Sequence, residues 1–339
     1  MTCPRRPTIA AAVAAGVAAA LPALPALHAA SALDTRPIPM ETYDRPGRLV
    51  VLPDHRRLNL RCMGHGSPLV LLESGFGGGS IGWPKLQPMI AARTRVCSYD
   101  RAGYGFSDPG PLPRHGVAIA RDLDYALRAA GLRGPYIVVG HSAGALYGQL
   151  FAGRRRKEVV GLVLIDPSVT YQDKRMAAIF GSGAGSLEPI RRRVERCLAA
   201  TEAGGAAVTN SAFAECVPIT ASTEVRAEGL RPSLWRTQLS ELDTLFTETS
   251  DQRARLGELI RDVPTIVLTA SRTGEPAPAD DPGDRVWEGV HRELAAQFTH
   301  GSQRLVKSGH LMMNERPDAV AAAVLELVEA SRLAPLRGD

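Results

Sequence analysis

From residue 48 onward, short apolar runs alternate with stretches of helical spacing. Residues 49–53 and 57–64 read as the two strands of a hairpin. Further strand-like runs at 68–73, 95–100, 136–140, 160–166, 265–270 and 302–307 bring the set to eight. They are rich in Val, Leu and Ile and show no polar alternation, which suits strands of a parallel sheet covered on both faces. Helical patterns fall between them at 83–93, 116–130, 143–153 and 317–333. Gly131 stops the second, and Pro317 stands where a helix accepts a proline. Strand–helix alternation of this kind predicts an α/β fold, with a doubly wound, mostly parallel eight-stranded sheet.

One stretch breaks the rhythm. Residues 168–262 carry helical patterns at 187–200, 206–216 and 234–260, separated by Gly and Pro, and no convincing strand. A helical insertion between two sheet strands reads as a lid, because a long structureless loop there would be unusual. The expected organisation is a core of 48–167 and 263–339 with a lid at 168–262.

The N-terminus reads differently. Arg5 and Arg6 precede an Ala/Val/Leu run from Ile9 to Leu27, broken by Pro22 and Pro25, and Ala30-Ser31-Ala32 offers a small-x-small cleavage pattern. Residues 1–32 are therefore expected to be a signal peptide cleaved after Ala32, with export and no stable membrane insertion, and 33–47 an extended, Pro-rich lead-in. Cleavage removes two positive charges and lowers the formal net charge from +5 to +3. The runs Arg154-Arg155-Arg156-Lys157 and Arg191-Arg192-Arg193 lack aromatic interleaving and read as solvated helix ends, so no nucleic-acid partner is expected. Cys3 would leave with the signal. Cys62, Cys97, Cys197 and Cys216 remain, an even number that permits two disulfides and has no zinc-site spacing.

The chemistry sits at strand ends. Gly140-His141-Ser142-Ala143-Gly144 follows an apolar strand directly and opens a helix. Such a turn lifts a serine hydroxyl above the sheet, the flanking glycines let strand and helix approach, and the helix N-terminus favours developing negative charge. Ser142 is the candidate nucleophile. Glu73-Ser74-Gly75-Phe76-Gly77-Gly78-Gly79-Ser80 follows the third strand. Its Phe76 N–H, with the Ala143 N–H, is expected to form an oxyanion hole. A phosphate-cradling loop would need a Lys-Ser/Thr ending, which is missing. Ser308-Gly309-His310 after the last strand supplies the candidate base, His310, in the order that places it last in the chain. His115, His291 and His300 lie in or beside polar helical segments and are expected at the surface, and the His141 side chain is expected to point away from the serine.

These motifs, with Tyr99-Asp100-Arg101-Ala102-Gly103-Tyr104-Gly105-Phe106-Ser107-Asp108 and Leu162-Val163-Leu164-Ile165-Asp166, resemble the α/β-hydrolase superfamily across nearly all of residues 48–335. Within it, the chain is similar to capped esterase-, lipase- and peptidase-like serine hydrolases. Ser74 departs from the pattern, since many relatives carry a His there. The resemblance implies a Ser-His-acid triad, acyl-enzyme chemistry and no cofactor or metal. Many relatives place the acid just after the seventh strand, where this chain has Ser271-Arg272-Thr273-Gly274-Glu275. Others place it one strand earlier, at Asp166. Asp166 is assigned as the acid, and Glu275, Asp280, Asp281 and Asp284, the last three in a Pro-rich loop, stay open. The expected partner is a small or medium apolar carboxylic ester; an amide, as in an aminopeptidase, and an inactive binding fold are the alternatives. Tyr104, Leu146, Trp235 and Phe246 are expected to line the pocket, with Met176 and Phe180 as further lid candidates. Cys197 and Cys216 both fall in the insertion, where a bridge would staple a lid with little core. Cys62–Cys97 follows from strands that neighbour each other in this superfamily.

Overall fold

Strands that are apolar on both sides can be stable only where helices cover both faces of the sheet. A computed structural model of the chain, which describes residues 35–204, 215–216, 227–271 and 282–333, has this form. The strands are β1 (Arg48–Val51), β2 (Arg57–Met63), β3 (Leu69–Glu73), β4 (Val96–Tyr99), β5 (Tyr136–His141), β6 (Val159–Ile165), β7 (Thr265–Ser271) and β8 (Gly301–Lys307). The helices are α1 (Leu86–Ala91), α2 (Gly116–Ala130), α3 (Gly144–Arg154), α4 (Gln172–Phe180), α5 (Glu188–Glu202), α6 (Pro232–Leu245), α7 (Glu248–Ala254), α8 (Pro282–Ala296), α9 (Met312–Glu315) and α10 (Pro317–Leu333).

The eight strands lie in the order β1-β2-β4-β3-β5-β6-β7-β8. β1 and β2 form the expected antiparallel hairpin, β2 runs antiparallel to β4, and all other pairs are parallel. Alternate side chains feed two cores. Leu69, Leu71, Val138, Leu162, Leu164 and Val267 face one, with Leu123, Leu127, Leu150, Phe151, Val290 and Leu294 from α2, α3 and α8. Val70, Leu72, Ile137, Val139, Val163, Ile165 and Leu268 face the other, with Leu86, Ile90, Met312, Val324 and Val328 from α1, α9 and α10. Each side chain of this size contributes about 1.5–3 kcal/mol when fully buried.

The insertion between β6 and β7 is helical, as expected, and contains α4 to α7. The predicted single helix over 234–260 is instead broken after Leu245, and α7 and a 3-10 turn (Gly257–Ile260) follow. At the break, Phe246 is buried with Ile119, Leu146 and Tyr147. Most of the helix expected at 206–216 lies outside the described residues. A small core, in which Val194, Leu234, Trp235 and Leu242 surround the Cys197–Cys216 disulfide, joins the insertion to Tyr104. The second bridge, Cys62–Cys97, joins β2 to β4 at directly paired positions.

Three further details differ from the sequence expectations. The lead-in is not simply extended: residues 40–44 form a 3-10 turn that buries Tyr43 under Arg61, whose guanidinium lies 4.9 Å from the ring centroid. Residues 282–296, expected within or after a loop, form α8, so Asp284 stands in the first turn of a helix. His291 is no surface residue. It lies on α8 with no exposure, where Thr269 Oγ1 meets Nδ1 at 2.9 Å and Nε2 donates to Pro167 O at 2.9 Å. The expected signal peptide, residues 1–32, lies outside the described residues.

Candidate active site

The parallel register pairs His141 with Ile165, so the next residues, Ser142 and Asp166, emerge side by side at the carboxyl ends of β5 and β6. Both turn out of their strands in left-handed backbone conformations, with φ of 51° for Ser142 and 38° for Asp166. Non-glycine residues adopt this region only when the surroundings over-determine it. Here the Ser142 N–H donates to Ile165 O at 3.0 Å, Ser142 O accepts from the Ser168 N–H at 3.0 Å, and the Asp166 N–H donates to Leu268 O at 2.7 Å. Gly144 allows the elbow to sit on the next strand's exit, since a Cβ there would lie 2.4 Å from Glu73 O.

His310 comes from the loop after β8. That loop is held by Glu315, whose Oε2 accepts from the Gly309 N–H at 2.6 Å and from Ser308 Oγ at 3.2 Å. His310 Nδ1 donates to Asp166 Oδ2 at 2.6 Å. A carboxylate can only accept, so the neutral ring carries its proton on Nδ1 and leaves the Nε2 lone pair free. Asp166 Oδ1 accepts from Trp287 Nε1 at 2.9 Å and from the Ala270 N–H at 3.2 Å. Burial works against the Asp166 carboxylate, but the hydrogen bonds from His310 and Trp287 outweigh it and hold its pKa below the usual value.

The His141 side chain, expected to point away from the serine, reaches the candidate base. Its Nε2 donates to His310 O at 2.9 Å, and the two rings lie 4.6 Å apart. Burial, with the neighbouring His310, lowers the His141 pKa to about 4, so this donor stays neutral. The sequence reading missed Trp287, placed His291 at the surface and missed Glu315. The first two are four residues apart, and they share a face of α8 with rings 4.5 Å apart.

Ser142, Asp166 and His310 line one cavity of about 170 Å3, together with Phe76, Ala143, Gln172, Leu187, Ile190, Leu242, Leu245, Phe246 and Trp287. Helices of the insertion thus form part of its wall. Neither the Phe76 nor the Ala143 N–H has an acceptor among the described residues, and both residues border the cavity beside Ser142. Of the expected pocket residues, Phe246 lines this cavity. Tyr104, Leu146 and Trp235 do not. The Tyr104 hydroxyl is held by Glu241 Oε2 at 3.1 Å, and the residue borders a separate cavity of about 480 Å3. Leu146 packs beneath Ala143 in the core, and Trp235 donates Nε1 to Gly229 O at 2.8 Å inside the insertion. Met176 is buried in the main core and Phe180 is exposed, so neither lines the cavity. Among the alternative acids, Glu275, Asp280 and Asp281 lie outside the described residues. Ser74 donates to Gly79 O and accepts from Trp83 Nε1, both at 2.8 Å, and so braces the loop from within.

Comparison with known proteins bears on the fold. An uncharacterized protein of Bacillus subtilis, YqjL, is 33% identical over 100 residues, which cover 30% of this chain and 40% of that protein. The chain therefore spans less than half the length of this curated relative. The crystal structure of the enol-lactonase from Burkholderia xenovorans superposes with a TM-score of 0.59 at 18% identity, over 83% of this chain and 100% of that one. A thermophilic esterase from Thermogutta terrifontis superposes with a TM-score of 0.55 at 19% identity, over 84% and 98%. At such identities the likeness is one of fold. The family model described as "Alpha/beta hydrolase family" matches residues 69–323, from the start of β3 into α10. That span holds both the sheet and the strand-end residues that converge on the cavity, and the chain belongs to the alpha/beta hydrolase family.

Proposed function

We propose that the chain is a serine hydrolase that cleaves a small, apolar carboxylic ester through an acyl-enzyme. The observation that carries this is the convergence of Ser142, His310 and Asp166 on one cavity, with the His310 Nδ1 proton held by Asp166 at 2.6 Å. His310 Nε2 accepts the Ser142 proton as Oγ attacks the ester carbonyl. The carbonyl electrons move onto oxygen, and the Phe76 and Ala143 N–H groups stabilise that oxyanion. Asp166 stabilises the imidazolium without taking its proton. His310 then protonates the departing alkoxide, and water repeats the sequence to release acid and free Ser142. The cavity wall of Phe76, Leu187, Ile190, Leu242, Leu245 and Phe246 favours an apolar acyl or alcohol group.

The N-terminal pattern supports an extension of the proposal to export with cleavage after Ala32, and two disulfides agree with an oxidising compartment. No helix among the described residues is long and apolar enough to cross a membrane. The test of substrate class is a panel of p-nitrophenyl esters of rising acyl length beside aminoacyl anilides. The expected result is highest kcat/KM for short to medium acyl esters and little anilide turnover. Preference for the anilides would replace the ester reading with the amide one.

A further inference from the structure

Arg101 follows β4 and is buried, with its side chain 2% exposed. All five of its N–H donors are engaged. Nη1 donates to Ser74 O at 2.7 Å and to Glu73 Oε1 at 3.0 Å. Nη2 donates to Gly75 O at 2.8 Å and to Glu241 Oε2 at 3.3 Å, and Nε donates to Glu241 Oε1 at 3.1 Å. The guanidinium also lies 4.9 Å from the Tyr104 ring centroid and 5.3 Å from that of Tyr147. Glu241 belongs to α6, in the insertion, so a single cation links the insertion to two successive carbonyls of the loop that precedes Phe76.

The second carbonyl matters most. Gly75 C=O and Phe76 N–H are the two ends of one planar peptide unit, which is trans here, so they point in opposite directions. A guanidinium that holds Gly75 O therefore fixes the direction of the Phe76 N–H. It also polarises the amide and makes that N–H a stronger donor. The loop lies against the nucleophile: a Cβ on Gly75 would sit 3.0 Å from the Ser142 Cβ and 2.9 Å from His141 Nδ1. We infer that Arg101 is a positioning residue for the oxyanion hole, acting through the Gly75–Phe76 peptide, and that Glu241 makes this position depend on the docked insertion. The inference rests on the hydrolase reading above.

The buried charges surrounding Arg101 support a built arrangement. Burial raises the Glu73 pKa to about 7 against the opposing pull of Arg101, and Tyr99 donates its hydroxyl to Glu73 Oε2. Neutral replacement of Arg101 would leave Glu241 and Glu73 buried without their cation. The informative variants are thus Arg101→Lys, which keeps the charge but cannot span both carbonyls and Glu241, and Glu241→Gln, which keeps the shape and weakens the link. Active sites in the full-length protein are counted with a fluorophosphonate, so that misfolded molecules drop out. Turnover per counted site is then compared with inhibition by a trifluoromethyl ketone, whose hemiketal places an oxyanion where the transition state does.

For Arg101→Lys the expected result is a loss of about 100-fold in kcat per site, with a matching rise in the inhibition constant, as when one oxyanion donor is removed. KM should stay within about threefold, since the contact is made in the transition state. Glu241→Gln should lose about tenfold in both quantities, as a weakened rather than deleted donor, and it carries the test if Arg101→Lys does not fold. Inhibition constants equal to wild type in the folded variants would overturn the inference, whether turnover falls or not. Wild-type protein that takes no label and shows no turnover dependent on Ser142 would overturn the hydrolase reading itself, and this inference with it.

Discussion

Asp166→Asn changes one atom from oxygen to nitrogen, and the structure dictates where that nitrogen must go. Oδ1 accepts from Trp287 Nε1 at 2.9 Å and from the Ala270 N–H at 3.2 Å, and both partners are donors only. The asparagine oxygen therefore occupies the Oδ1 site, and its NH2 faces His310 Nδ1, now 2.6 Å from Oδ2. Two donors cannot share that contact. His310 must move its proton to Nε2, and in the proposed mechanism the base is then lost. A wrong tautomer of this kind costs about ten-thousandfold in turnover, or about 5.5 kcal/mol of transition-state stabilisation. The fold should survive, because the asparagine oxygen keeps both Oδ1 bonds. The assay is p-nitrophenyl ester hydrolysis by Asp166→Asn protein, with circular dichroism and thermal melting on the same sample. A folded variant that retains more than about one tenth of wild-type kcat would refute the assignment of Asp166 as the acid, because the tautomer effect leaves no such residue of activity.

Trp287→Phe keeps the ring beside His291 and deletes one donor to Asp166. A lost bond to a charged group corresponds to a fall of about tenfold or more in kcat, and unchanged kinetics would show that Trp287 does not tune the carboxylate. Stability should fall on acidification from pH 6.5 to 4. His141 and His291 are buried neutral with pKa values lowered to about 4, while the unfolded chain takes up their protons near 6.5. In that window the unfolded state binds more protons, a cost on the order of 3 kcal/mol per histidine by the bottom of it. The depressed Asp166 pKa adds its own loss only at lower pH, as that carboxylate protonates. Urea midpoints across the window check this, and His291→Gln should flatten the dependence. Removal of the Cys197–Cys216 bridge, which closes a separation of 19 residues, should destabilise by about 3 kcal/mol in urea titrations. An unchanged midpoint would mean that the bridge does not constrain the unfolded chain.

The elbow was legible in sequence because its demands are local. Gly140, Ser142 and Gly144 lie within five residues, and the strand before them is uniformly apolar. His310 could be proposed for a similar reason, as a histidine just past the last strand. The candidate acid was harder to choose, because the choice between Asp166 and a later residue depends on register: the pairing of β5 with β6 sets Asp166 beside Ser142. Helix α8 was hidden by its start, Pro282-Gly283, inside a Pro-rich run, although Trp287 and His291 at a helical spacing carried a usable signal. The pocket expectation failed for Tyr104 and Trp235 through contacts that no local pattern encodes. Tyr104 is held by Glu241, 137 residues away, and Trp235 is absorbed by the cluster around Cys197 and Cys216. The Arg101 cluster was invisible for the same reason, since Arg101 and Glu241 are 140 residues apart in sequence.

The proposed attack by Ser142, with His310 as base, is tested most directly by covalent labelling. Full-length protein and the Ser142→Ala variant are treated with a fluorophosphonate, digested and mapped by mass spectrometry, while ester turnover is followed on the same samples. The expected result is a single adduct on Ser142, turnover that falls in step with labelling, and neither adduct nor turnover in Ser142→Ala. Ester turnover that persists in the labelled protein or in Ser142→Ala would contradict the acyl-enzyme mechanism.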